Sequence, residues 1–77
     1  MSRVFVDEDL LSWEVYASGG QYGLPDDPKI VFHCVSDPSH RPRFVRFGGS
    51  SATAVQAVHD FPIERLRQVL NEAEELD

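Results

Sequence analysis

The stretch that decides the fold is Leu10-Leu11-Ser12-Trp13-Glu14-Val15-Tyr16-Ala17-Ser18. Leu11, Trp13, Val15 and Ala17 share one parity, and Ser12, Glu14, Tyr16 and Ser18 share the other. Period two, carried by aromatic and β-branched residues, specifies a strand with one buried and one wet face. Gly19-Gly20 ends it, and Gln21–Pro28, which holds Gly23, Pro25 and two aspartates, reads as a loop. Upstream, Ser2-Arg3-Val4-Phe5-Val6 suits a short strand that Asp7-Glu8-Asp9 closes.

Downstream, Lys29–Ser36 is a strand of another kind. Ile30, Phe32 and Cys34 lie on one face, while Val31 and Val35 flank His33 on the other. A strand apolar on both faces is covered on both, or faces a partner. Asp37-Pro38-Ser39-His40 has turn chemistry: proline pre-sets φ, and the aspartate bonds the backbone two residues on. Arg43–Phe47 is a third strand of mixed character, with Arg43, Val45 and Phe47 opposing Phe44 and Arg46.

Residues 51–58 are ambiguous. Thr53, Val55 and Ala57 alternate as a fourth strand requires, whereas Ala52 and Val55 behind a serine cap suit two turns of helix; the strand is the preferred reading. The last element is clear. Ile63, Leu66, Val69, Leu70, Ala73 and Leu76 recur at spacings of three and four, predicting a helix over 62–74. Asp60 is its expected cap, Pro62 fits its first turn and Phe61 its entry staple, with Glu64 and Arg67 paired on the wet side.

These elements assemble into one small α+β domain spanning residues 1–77. It is an antiparallel β-meander of three to four strands with the C-terminal helix packed on one face. Its expected core is Trp13, Val15, Phe32, Leu66 and Leu70. A chain of 77 residues buries only about 60% of its unfolded surface, so this core is thin. The 42% apolar and 26% charged content is ordinary for a globular protein. A single cysteine, Cys34, excludes an internal disulfide framework. No apolar run approaches the roughly 18 residues of a membrane span, so a cytoplasmic protein with no membrane partner is expected.

Charge is segregated along the chain. Residues 1–27 carry one base against six acids, residues 28–59 four bases against one acid, and residues 60–77 two bases against six acids. The basic middle (Lys29, Arg41, Arg43 and Arg46, with His40 nearby) is the one segment suited to nucleic acid or an anionic ligand. Arg43 and Arg46 have opposite parity, however, and the net charge is −6, so nucleic acid is the secondary reading.

Catalytic and metal chemistry lack a team. His33 and Cys34 are adjacent on a strand and point to opposite faces, which leaves too few of His33, Cys34, Asp37 and His40 to hold a zinc. Cys34 in an apolar strand has the setting of a small hydrophobe. Gly19-Gly20 and Gly48-Gly49-Ser50-Ser51 match neither phosphate-loop pattern, and neither clearly leads from strand into helix; they read as turns. The crowd of Glu72, Glu74, Glu75 and Asp77 at the helix end reads as a solvated terminus.

No enzyme, metal or cofactor is therefore expected. The reading is a non-catalytic interaction or regulatory and accessory domain, self-associating as a homodimer or bound to a protein partner through an apolar sheet face. The expected contact residues are Val31, Val35, Phe44, Arg43 and Arg46, with Val45 and Phe47 as the alternative to Phe44. A helix over 51–58 would instead cover that face and favour a monomer.

Overall fold

The alternating stretch forms the strand that its parity predicts. The computed structural model describes residues 2–19 and 28–76. They comprise β1 (Ser2–Val6), β2 (Ser12–Ser18), β3 (Lys29–Cys34), β4 (Arg43–Arg46), α1 (Ser51–Asp60), α2 (Ile63–Glu72) and β5 (Glu74–Glu75). The strands lie in the order β1-β2-β3-β4-β5, each antiparallel to the next. The architecture is α+β as expected, with five strands rather than three to four and a second helix. The loop expected over Gln21–Pro28 lies, apart from Pro28, outside the described residues.

The pairing register sorts side chains by face. Phe5 pairs with Trp13, Trp13 with Cys34, Val15 with Phe32, and Ile30 with Val45. Partners directly opposite share a face, so these residues line one side of the sheet. Both helices pack on that side: Val58 of α1 and Leu66, Val69 and Leu70 of α2 join Phe5, Trp13, Val15, Ile30, Phe32 and Cys34 in one core. The five expected core residues are all buried there.

Residues 51–58 correct the sequence reading, since they belong to a helix and not to a fourth strand. Ser50 caps it reciprocally with Thr53: the Ser50 hydroxyl accepts from the Thr53 amide at 3.2 Å, and Thr53 Oγ1 accepts from the Ser50 amide at 2.9 Å. Gly49 permits this approach, because a Cβ there would stand 2.7 Å from Thr53 Oγ1. The second glycine pair thus does lead from a strand into a helix. Ala54 and Val58, one turn apart, are the buried face. Even so, α1 and α2 pack on the same side of the sheet, and no described helix lies on the opposite face.

The C-terminal helix is shorter than its apolar spacing suggested. Asp60 closes α1 instead of capping α2, whose cap is Pro62 with no side-chain bond. Helix α2 ends at Glu72, and Glu74 and Glu75 fall back onto β4 opposite Phe44 and Arg43. Arg67 is not the wet-side partner of Glu64: its Nε donates to the Val6 carbonyl at 2.9 Å.

Two outcomes test this description. Leu66 is fully buried, so Leu66→Ala is expected to lose roughly 2–5 kcal/mol in chemical denaturation, much of the stability of a domain this small. Leu10 ends the β1–β2 turn at φ 67° with 83% of its surface exposed, a left-handed conformation that burdens a residue with a Cβ by ~1–2 kcal/mol. Leu10→Gly is therefore expected to raise the melting temperature.

Candidate interaction surface

With the helices on one side, the other side of the sheet presents the alternate residues in rows. Val6 and Val35 flank Ser12; Val4 and His33 flank Glu14; Tyr16 and Phe44 flank Val31; and Ser18, Lys29 and Arg46 form the last row. The Val35 amide donates to the Ser12 carbonyl at 2.9 Å, which carries the β2–β3 register one residue past β3. Ser2 Oγ donates to Glu14 Oε2 at 2.8 Å, tying β1 to β2 across this face.

The expected contact residues separate on this map. Val35 is 49% exposed, but Val31, in the central strand between two aromatic rings, is only 6% exposed. Phe44 pairs directly with Val31 and is half-buried, so Phe44, and not Val45 with Phe47, shares the helix-free face. Arg46 is on that face and exposed. Arg43 is on the opposite side, its guanidinium 5.5 Å from the centre of the Trp13 ring and donating to the Leu70 carbonyl at 3.3 Å. Arg41 precedes β4 and is exposed. The three arginines of the basic segment thus do not form one surface.

On this face the exposed apolar surface lies mainly on β1, where sequence reading had not placed it. Val4 is 58% and Val6 42% exposed. Their alternation with Arg3 and Phe5 was the available signal. Phe5 is buried, and Arg3 NH1 donates to the carbonyls of Val58, His59 and Phe61 at the end of α1.

One polar cluster borders the sheet at its turn end. Trp13 is buried, and its Nε1 donates to Asp7 Oδ2 at 2.7 Å. Asp7 Oδ1 accepts from the amides of Asp9 at 2.8 Å and Leu11 at 2.9 Å. Burial alone would raise the Asp7 pKa; the bonds from Leu11, Trp13 and Asp9 and the charge of nearby His40 outweigh it and hold the carboxyl below its ordinary 3.8. Asp37 is lowered too, chiefly by the Ser39 hydroxyl and amide, both of which it accepts. His40 sits 3.5 Å from Asp37 and edge-on to Trp13.

This cluster is a structural joint. Among the described residues no three His, Cys, Asp or Glu side chains converge as metal ligands would. Cys34 is buried, its Sγ 3.9 Å from Ser36 Oγ. Nor is any described helix long and apolar enough to cross a membrane. Comparison of the chain with protein-family models, curated proteins and solved structures gave no match.

The Asp7 geometry predicts a specific acid dependence. A carboxyl whose folded pKa lies below its unfolded value stabilises the fold above the unfolded value of about 3.9, and the contribution is lost as pH falls through the folded one. Asp7→Asn is expected to lose about 1–3 kcal/mol at pH 7 through weakened charged hydrogen bonds. Its stability should also fall less steeply than the wild type's below pH 4 in denaturant titrations.

Proposed function

We propose that this chain is a small non-catalytic protein-interaction domain, of accessory or regulatory type, that engages a protein surface through the helix-free face of its sheet. The observation that carries the reading is the placement of both helices on one side, which leaves Val4, Val6 and Val35 between 42% and 58% exposed on the other. Apolar side chains grouped on one face favour association, whereas singly scattered ones carry no such meaning. The rows are mixed in chemistry: Glu14 and His33 lie between the valines and the aromatic row, and Lys29 with Arg46 close the far end. Exposed valines at the rim of a face whose middle is polar give a mixed composition, and a non-obligate protein interface is likewise no more apolar than the rest of a protein surface.

The test is affinity capture on immobilised wild type and on Val35→Lys in parallel. Val35 is half exposed and outside the core, so the variant is expected to keep the wild-type circular dichroism and melting temperature. A partner retained by the wild type should bind the variant at least about tenfold more weakly, equivalent to 1.4 kcal/mol. Equal retention by both would remove this face from the interaction.

A further inference from the structure

We infer that the free edge of β1 pairs with the β1 edge of a second copy, antiparallel and about a two-fold axis through Val4. This rests on the interaction-domain reading and adds to it a second copy held at the strand edge, a contact separate from the face that Val35 marks.

The hydrogen-bond pattern defines the edge. The Asp7 amide donates to the Leu11 carbonyl at 2.9 Å, so in this register residues 3, 5 and 7 direct their backbone groups to β2. Ser2, Val4 and Val6 accordingly direct theirs away from the sheet. The Val6 carbonyl agrees, since it accepts Arg67 Nε from outside the ladder at 2.9 Å and retains its second lone pair. Among the described residues, none hydrogen-bonds the backbone N–H or C=O of Val4.

The two edges of the sheet differ in protection. At β4 the outer row is taken up in part by β5, with the Leu76 amide on the Pro42 carbonyl at 2.7 Å, and the groove beside it carries Glu72, Glu74 and Arg46. Among the described residues, the middle of β1 has no proline, lysine, bulge or covering strand, the devices by which edges avoid pairing, and the Arg67 side chain reaches only the Val6 carbonyl at its end. The strand is also self-matching. Antiparallel pairing centred on Val4 sets Val4 against Val4 and Ser2 against Val6, so no like charges face each other on the helix-free side. The acids Asp7, Glu8 and Asp9 lie past the paired stretch, in the turn. Self-pairing about this axis therefore meets no charge repulsion at positions 2, 4 and 6. The paired copies would form one continuous sheet, with Val4 and Val6 of both in adjoining rows of the helix-free face.

A charge-swap experiment tests the pairing. Sedimentation velocity of the wild type up to ~100 µM should show twice the monomer mass, and Val4→Lys and Val4→Glu should each be folded monomers, because identical charges would stand directly opposite. An equimolar mixture of the two variants should regain the dimer, which happens only if position 4 faces position 4 of the partner. Val35→Lys, off the edge, should leave the dimer intact. A monomeric wild type, a mixture that stays monomeric, or dissociation by Val35→Lys with dimers retained by both Val4 variants would overturn the inference. Capture of a different protein on the sheet face would still support the interaction reading, so the two can fail separately.

Discussion

A buried indole has to give its N–H a partner, and the rest of this fold is arranged around how Trp13 does so. The acceptor is Asp7, which also holds the β1–β2 turn through the amides of Asp9 and Leu11. Arg43 stacks on the ring and His40 meets its edge, so the same side chain fixes the start of β4 and the β3–β4 loop. Arg43 then reaches the Leu70 carbonyl in the last turn of α2. A single aromatic residue therefore registers two hairpins and one helix against each other. In a chain with so thin a core, such a joint substitutes for packing depth.

Arginine performs the remaining long-range attachments. The last carbonyls of a helix have no partner within it, and those of α1 are met by Arg3 from β1, as Leu70 of α2 is met by Arg43. Both cations stand at the negative end of a helix dipole, which offsets the acids crowded after α2. Arg67 makes the reverse attachment, from helix to strand. The guanidinium presents several donors in a fixed plane, so one side chain can serve more than one carbonyl. Six arginines against one lysine in this sequence is consistent with that use. No spacing rule exposes it, because each contact joins residues far apart in sequence.

Local patterns made much of the fold legible. The parity of Leu11 to Ala17, the apolar stripe of Leu66, Val69 and Leu70, and the aspartate turn at Asp37 each contain their own cause, and each forms. The strand reading of 51–58 fails because Thr53 and Val55 imitate a strand, while the decisive signals, a Ser50–Thr53 cap and the turn-spaced Ala54 and Val58, are individually weak. Strand β5 had no local signal at all: two glutamates have poor strand propensity, and they pair because α2 delivers the chain beside β4. The surface was half legible. Parity put Val35 beside Val31, opposite Ile30, Phe32 and Cys34, but it left open which face of β4 joins them, and it does not distinguish a central strand from an edge.

That distinction decides where apolar surface remains. Strand β3 is apolar on both faces, and the natural inference was that its outward valines need a second layer. In the sheet, Val31 stands between Tyr16 and Phe44 with 6% of its surface exposed and no described helix on its side. Val4 carries the same side chain with a neighbour on one side only, and 58% of it is exposed. Two valines on one face of one sheet therefore differ about tenfold in exposure. The residues with surface left to bury are those at the periphery, where a further chain would also find unpaired backbone groups. Apolar area and hydrogen-bonding capacity coincide along β1, and any association there strengthens the fold as well, because only the folded form can bind.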